Sequence, residues 1–192
     1  MRRNVVSEFI SVDGVIEDPG GAEGFARGGW AFQFNRGPEG DKFKLDEVRE
    51  ADALLLGRRT YEGFAQAWPS RSDDIGFADK MNRMPKYVVS STLKTAHWNN
   101  STVVKGDIAG AVSKLKQQPG GPMLVAGSGQ LVNALVEHDL VDEYRLMVFP
   151  VVLGSGKRLF GTDGGTKSLQ LISAQKVGSD GVVILIYEPK RG

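Results

Sequence analysis

Short apolar runs and segments of helical periodicity alternate along the chain, and turn residues separate them. The clearest unit begins with the apolar run at residues 53–56, which ends at Gly57. A short apolar run cut by glycine is typical of a buried strand. The residues that follow place Tyr61 and Trp68 at helical spacing, and Pro69 then stops the pattern. This unit is predicted to be a strand, a tight turn and a helix.

The same patterns predict about eight strands, with helices between the earlier strands and a hairpin at the end. Intervening helices imply mostly parallel pairing, whereas a turn signal at residues 179–181 implies an antiparallel hairpin. The chain is predicted to be a single α/β domain over residues 1–192. The predicted strands are residues 5–11, 53–56, 86–90, 102–104, 123–126, 143–152, 169–177 and 182–187. The predicted helices are residues 41–51, 58–67, 75–83 and 108–117, and a further one that begins near residue 131.

Residues 17–38 form a long glycine-rich segment after the first strand, and it contains Trp30, Phe32 and Phe34. A loop of this length is uncommon in a compact domain and is usually functional or mobile. Its aromatic residues argue against a disordered insert, because disordered segments are poor in them.

Composition removes several classes of function. The 192 residues include 24 basic and 23 acidic side chains, so the chain has no basic excess that would favour nucleic acid. Cysteine is absent, which excludes disulfides, thiolate catalysis and cysteine-ligated zinc, and the two histidines form no local metal motif. No stretch approaches the ~20 apolar residues of a membrane span. A cytoplasmic protein without metal or membrane association is therefore expected.

Three predicted strands end in turns that suit a phosphate-bearing ligand. These turns are residues 57–60 (Gly-Arg-Arg-Thr), residues 90–92 (Ser-Ser-Thr) and residues 127–130 (Gly-Ser-Gly-Gln). Ligands of an open α/β sheet collect beyond the carboxyl ends of its strands, and glycine permits close approach to a phosphate. The alternative is that such turns simply favour glycine and serine.

The order of these motifs resembles the dihydrofolate reductase fold family. The matching segments are residues 11–14 (Ser-Val-Asp-Gly), 57–62, 88–91 and 127–129. A later run at residues 141–146 and 150–160 is similar to the reductase domain of the bifunctional riboflavin-biosynthesis deaminase–reductase and its stand-alone relatives. The resemblance covers nearly the whole chain and implies a three-layer fold, with helices on both faces of the sheet.

The resemblance also implies an NADPH-dependent reductase that acts on a small heteroaromatic or carbonyl/imine substrate. Such an enzyme would be similar to 5-amino-6-(5-phosphoribosylamino)uracil reductase or dihydrofolate reductase. The glycine turns would hold the pyrophosphate, the serines would lie near the 2′-phosphate, and the first turn would border the nicotinamide. The implied cofactor-binding residues are Val12, Gly14, Gly57, Arg58, Arg59, Thr60, Ser90, Ser91, Gly127, Ser128, Gly129, Gln130 and Leu131.

On the substrate side, the resemblance implies that Asp41 is the catalytic carboxylate. Its distance before Gly57 matches that of the acidic residue which grips the pterin in folate reductases. The alternative is that Asp41 is a helix N-cap or first-turn acid. Asp13, Trp30 and Phe32 are the implied substrate-binding residues.

Two further expectations concern partners and activity. Residues 141–160 carry a long apolar strand, which we expect at an edge of the sheet, and related reductases often pair, so a homodimer is predicted. The alternative to an enzyme is an NADPH- or nucleotide-binding protein without turnover.

Overall fold

A computed structural model describes residues 1–161 and 165–190 of the chain. Within these residues, eight strands form one sheet with the order β4-β3-β2-β5-β1-β6-β8-β7. The strands are β1 (Asn4–Ser11), β2 (Ala53–Gly57), β3 (Lys86–Val89), β4 (Ser101–Val104), β5 (Met123–Ala126), β6 (Glu143–Phe149), β7 (Leu169–Val177) and β8 (Val182–Pro189).

Strand directions confirm the predicted mixed sheet. All pairs among β1 to β6 are parallel, whereas β8 runs antiparallel to β6 and β7 runs antiparallel to β8. β6 ends at Phe149, before the end predicted at residue 152, because Pro150 has no N–H to continue the ladder.

Helices cover both faces of the sheet, as the fold class predicts. They are α1 (Gly37–Glu50), α2 (Arg58–Ala67), α3 (Phe77–Arg83), α4 (Ile108–Gln117) and α5 (Gly129–Glu137). The central strand β2 is buried on both sides: Leu54 and Leu56 pack with residues of α1, α2 and α3, and Leu55 packs with residues of α4 and α5. No helix in the described ranges is long and apolar enough to cross a membrane.

The long loop after β1 is ordered. Its aromatic end forms a short 3-10 helix, Trp30–Gln33, and α1 begins at Gly37, four residues before the predicted start. Pro38 lies in the first turn of α1, where proline is tolerated. The carboxylate of Asp18 accepts hydrogen bonds from the backbone N–H groups of Glu23 (3.0 Å) and Phe25 (3.1 Å), which folds the loop around a buried acid.

The prediction that the strand at residues 143–152 forms an edge is wrong. β6 lies between β1 and β8, and the edge strands of the described sheet are β4 and β7. β7 is exposed along most of its length, and the apolar side chains of Leu171 and Ile172 are about half exposed.

Candidate functional site

Between β1 and β5 the sheet has a step, and the direction in which the chain adds strands to the sheet reverses there, although the two strands themselves are parallel. β5 pairs with β1 only as far as Ala126, opposite Ser7, whereas β1 continues to Ser11. From β1 the chain passes to α1 on one face, and from β5 it passes to α5 on the other face. Open α/β sheets bind ligands in the crevice at such a reversal. This crevice is the candidate site, and the predicted turns of β1, β2 and β5 border it.

Two hydrogen bonds join the turns after β2 and β5 into one unit. The Gly57 N–H donates to Ser128 Oγ (2.9 Å), and the Ser128 N–H donates to Thr60 Oγ1 (3.0 Å). The Ser128 hydroxyl donates in turn to the Ala126 carbonyl (3.0 Å). We call this set of hydrogen bonds the Gly57–Ser128–Thr60 clamp. It holds together two turns that lie about 70 residues apart in the sequence.

The clamp places the N-termini of α2 and α5 side by side. Gly57 and Ser128 are their N-cap residues, and no side chain in the described residues caps either helix. The first N–H groups of a helix have no partner within the helix, and the helix dipole adds positive potential there. Paired helix N-termini of this kind suit the two phosphates of a dinucleotide.

The two glycines of the turn after β5 let that turn approach neighbouring side chains closely. Gly127 has a φ of 55°, and a Cβ there would lie 2.9 Å from Thr60 Oγ1. A Cβ at Gly129 would lie 3.0 Å from Ile16 Cδ1. At both positions glycine lets the turn lie close to its neighbours Thr60 and Ile16.

The two predicted arginines differ in their surroundings. Arg58 forms an ion pair with Glu62 one turn along α2 (3.0 Å), and both side chains are about 40% exposed. Arg59 is exposed and forms no ion pair within the described part of the chain. Arg59 is the better placed of the two to meet a phosphate. Gln130 and Leu131 lie in the first turn of α5, and Leu131 is buried in the core.

The serines after β3 also differ. Ser90 is buried, and its Oγ accepts hydrogen bonds from the N–H groups of Thr92 (3.2 Å) and Leu93 (2.9 Å), so this hydroxyl shapes its own turn. Ser91 is exposed. Of the pair, Ser91 has the side chain that is open to a ligand.

The turn after β1 is fixed by Asp13. Its carboxylate accepts hydrogen bonds from the Ser11 hydroxyl (2.7 Å) and from the N–H groups of Leu153 (3.1 Å) and Gly154 (2.8 Å). The Ser11 hydroxyl, and after it the Leu153 N–H, lower the pKa of the Asp13 carboxyl to about 2. Asp13 thus joins this turn to the segment after β6.

The other two predicted residues of this turn lie on either side of Asp13. Val12 is 62% exposed, and its N–H donates to the Val151 carbonyl (2.9 Å). Gly14 has a φ of 83°, and its carbonyl accepts from the Leu159 N–H (3.0 Å). The exposed Val12 side chain gives this turn an apolar surface on the outside of the protein.

A pocket of about 320 Å³ lies between the 3-10 helix and the start of α1. Phe32, which is 68% exposed, forms part of its wall, and so does Asp41. The Asp41 side chain is 66% exposed and pairs with Arg36 Nε at 2.7 Å. The remaining lining residues are Ala31, Phe34, Asn35, Arg36 and Gly37.

Two expectations about this region change. Asp41 lies in the second turn of α1, whose N-cap is Arg36, so the interpretation of Asp41 as an N-cap or first-turn acid is wrong. Trp30 is only 2% exposed, packs edge-on against Phe149 (5.6 Å between ring centroids) and donates its indole N–H to the Glu17 carbonyl. Trp30 therefore anchors the loop in the core behind the pocket.

Sequence reasoning missed a cluster of buried polar side chains beside the crevice. Ser7 lies in the middle of β1, and Lys44 and Glu47 reach it from α1. The next residue, Glu8, is buried on the opposite face of the strand, beside the backbone of Gly127. The available signal was a pair of polar residues inside a strand that is otherwise buried, since buried polar groups need partners.

A protein-family model matches nearly the whole chain. A model described as the RibD C-terminal domain matches residues 4–183. Two relatives come from Bacillus subtilis (strain 168). The uncharacterized protein YyaP is 28% identical over 189 residues, which cover 97% of this chain and 94% of the relative. The uncharacterized protein YwjB is 29% identical over 177 residues, which cover 92% of this chain and 93% of the relative.

Solved structures agree on the fold. A putative riboflavin biosynthesis protein from Shewanella sp. PV-4 has a TM-score of 0.73 at 24% identity, and the match covers 98% of this chain and 99% of that one. A pyrimidine reductase-like protein from Corynebacterium diphtheriae NCTC has a TM-score of 0.67 at 14% identity. The match covers 100% of this chain and 93% of that one. At these identities the likeness establishes the architecture alone.

Proposed function

The chain belongs to the RibD C-terminal domain family, and from this membership we propose that it is a reductase which passes hydride from NADPH to a small heteroaromatic, carbonyl or imine substrate. The observation that carries the proposal is the pair of uncapped helix N-termini held together by the Gly57–Ser128–Thr60 clamp. α5 begins after β5, where the order of strand addition reverses, and α2 begins after the adjacent strand β2. Sheets of this class bind dinucleotides at such a reversal.

Each part of the crevice fits one part of NADPH. The turns at residues 57–60 and 127–131 would hold the pyrophosphate with the N–H groups of the first helical turns that follow Gly57 and Ser128, since the N–H groups of Gly57 and Ser128 themselves are used within the clamp. Arg59 and Ser91, both exposed, would meet the 2′-phosphate, with Arg58 and Ser90 beside them. Val12 and Gly14 would border the nicotinamide. When bound, NADPH supplies the hydride, and the protein contributes position and polarity.

The pocket beside Phe32 would hold the substrate. Phe32 offers a flat apolar surface, Arg36 offers hydrogen-bond donors and Asp41 offers an acceptor. A small planar ring with N–H and carbonyl groups would satisfy both charged side chains. Pterins, pyrimidinones and cyclic imines have this chemistry.

NADPH oxidation in the presence of a panel of pterins and pyrimidinones tests the proposal, and direct titration of NADPH is measured alongside. We expect binding of NADPH and turnover of at least one member of the panel. Binding without turnover on any member would favour a nucleotide-binding protein, and absence of binding would reject the cofactor assignment.

Asp41→Asn should lower kcat/KM at least about tenfold, or roughly 1.4 kcal/mol of transition-state binding. The carboxylate lines the pocket, and the neutral amide both loses charge and releases Arg36. NADPH affinity should stay the same, because the implied cofactor residues lie in other turns. Steady-state kinetics with the active substrate, together with an NADPH titration, provide the measurement.

Asp46→Asn is the matched control for this change. Asp46 lies on the same helix, is about half exposed and pairs with Lys42, but it does not line the pocket. The control should keep the kinetics of the wild type. Equal kcat/KM values for Asp41→Asn and wild type would remove Asp41 from the site.

We also propose that residues 1–192 act as a single domain. We further propose that two copies of this domain form a homodimer through β7. The strand is an edge of the sheet, its outer side is unpaired among the described strands, and it exposes Leu171 and Ile172. An exposed apolar edge strand favours pairing with another chain. Light scattering at micromolar concentration should give the mass of a dimer.

Leu171→Lys combined with Ile172→Lys should shift that mass toward the monomer, because charges on an edge strand oppose pairing. Thr102→Lys, at an exposed position on the opposite edge strand β4, is the control and should leave the dimer intact. A monomer mass for the wild-type protein would contradict the prediction.

A further inference from the structure

The middle of β1 carries an acidic side chain, Glu8, that is only 4% exposed. Its Oε1 atom is buried and has no hydrogen-bond partner within the described residues. Ser7 is in parallel register with Ala126, the last residue of β5, so Glu8 lies at the level of Gly127. Glu8 is therefore buried at the point where β5 ends and the crevice begins.

Strand alternation shows on which face of the sheet Glu8 lies. Val6 and Ile10, two residues before and after it, pack in the same hydrophobic cluster as Leu131. Side chains two residues apart in a strand share a face, so Glu8 lies on this face as well. Because Leu131 belongs to the first turn of α5, the carboxyl group of Glu8 faces the N-terminal end of that helix.

Few charged groups face Glu8 from the neighbouring elements. The Lys44 ammonium and the Glu47 carboxylate act on it from α1, which covers the other face of the sheet. On β6, Tyr144 is a titratable side chain of the same face, and residues 126–136 contain no charged side chain. The other charged side chains that border the crevice are Asp13, Arg58, Arg59 and Arg158.

These surroundings favour the neutral form of Glu8. Burial raises the pKa of its carboxyl group well above the ordinary value of 4.5, and the Glu47 carboxylate adds to the rise. The Lys44 ammonium and the Gly127 backbone oppose it with smaller effects. A buried carboxyl group that no cation contacts takes up a proton rather than remain charged.

The uncapped N-terminus of α5 is the place where Glu8 and the cofactor would influence each other. The helix dipole favours negative charge there, and the proposed function assigns that place to the pyrophosphate of NADPH. An ionised Glu8 would put a further negative charge behind the same turn, in a buried region where like charges repel strongly. The neutral form of Glu8 is therefore the one that favours a bound pyrophosphate.

We propose that Glu8 is a further residue of the cofactor site and that it takes up a proton when NADPH binds, an inference that rests on the proposed function. The proton comes from water and binds to a carboxylate oxygen of Glu8, and no bond of the cofactor changes. Glu8 acts through the turn at Gly127 and is a positioning residue. Binding is reciprocal: the proton on Glu8 strengthens the affinity for NADPH, and bound NADPH holds the proton on Glu8.

A packing role does not account for this acid. Val6 and Ile10, its neighbours on the same face, are apolar, and a methionine at position 8 would fill a similar space without an unpaired oxygen. Titratable groups that are strongly perturbed by burial and border a cleft are typical of functional sites.

Titration calorimetry in buffers of different ionisation enthalpy counts the protons taken up per NADPH bound. Wild type should take up more protons than Glu8→Gln, with a difference of up to about one. The 2′-phosphate also titrates near about pH 6, but it contributes equally to both proteins, and NADH, which lacks this group, is titrated alongside. Glu137→Gln, at an exposed position at the opposite end of α5, is the control and should match wild type.

The same titrations give the dependence of NADPH affinity on pH. Because ionised Glu8 opposes binding, wild-type affinity should be highest where this group is neutral and should fall as pH rises through its raised pKa. Relative to Glu8→Gln, we expect a fall of about tenfold between about pH 5 and about pH 9, which corresponds to one pKa unit between the free and the bound protein.

Parallel pH profiles, or equal proton counts, for wild type and Glu8→Gln would overturn the proposal. Should Glu8→Gln fail to fold, the wild-type count with NADH decides: uptake supports the proposal, and no uptake over this pH range overturns it. If neither cofactor binds, the proposed function fails and this inference fails with it. If NADPH binds without an additional proton on Glu8, only this inference fails.

Discussion

Gly129→Val should weaken NADPH binding by roughly tenfold to a hundredfold. A Cβ at this position would lie 3.0 Å from Ile16 Cδ1, so valine has to displace the Ile16 side chain beside the N-terminus of α5. Overfilling a packed site costs about 1–3 kcal/mol, and each 1.4 kcal/mol is about tenfold in affinity. Fluorescence titration of NADPH gives the dissociation constant. The φ of Gly129 is not in the left-handed region, so valine should not break the turn.

Gly63→Val is the matched control for this steric effect. Gly63 lies in α2, and a Cβ there meets no atom within 4 Å. The control should bind NADPH like wild type. A folded Gly129→Val protein with an unchanged dissociation constant would show that the crevice beside α5 does not hold the cofactor.

Arg59→Ala should narrow the preference for NADPH over NADH by about tenfold. A charge-assisted hydrogen bond contributes about 1.5–3 kcal/mol, and solvent around the exposed Arg59 places the expected effect at the lower end. The loss should fall on NADPH alone, because NADH has no 2′-phosphate. Parallel titrations of both cofactors against the variant and wild type measure the ratio.

Arg58→Ala should have a smaller effect on this ratio, since Arg58 is already paired with Glu62. Arg83→Ala, an exposed arginine on α3, should have none. If neither Arg58→Ala nor Arg59→Ala changes the ratio of the two affinities, the 2′-phosphate does not bind at this helix.

The fold was predictable because the signals that specify it are local. The run at residues 53–56 is apolar at every position. The structure buries all four residues, two on each face of the sheet. The hairpin between β7 and β8 follows from its turn residues. The order of the strands depends on contacts between segments that are distant in the sequence. For that reason the strand at residues 143–149 was wrongly expected at an edge.

The candidate site was predictable only in outline, because its side chains find their partners across the chain. The glycine turns were visible in the sequence. The hydrogen bond from the Ser128 N–H to Thr60 Oγ1, however, depends on how β2 and β5 pair. Trp30 was expected at the substrate, yet burying so large a side chain in the core stabilises the loop more than exposing it to a ligand would. Lys44 reaches Ser7 only because α1 packs against β1.

The Gly57–Ser128–Thr60 clamp gives two distant positions one requirement each. In both hydrogen bonds a hydroxyl of one turn accepts from a backbone N–H of the other turn, so losing either hydroxyl leaves that N–H group without its acceptor. A chimera designed to change cofactor preference by exchanging residues 57–60 or 127–131 should therefore keep a hydroxyl at positions 60 and 128. Each turn can then be exchanged by itself, because the backbone N–H that its partner needs is present whatever the new side chains are.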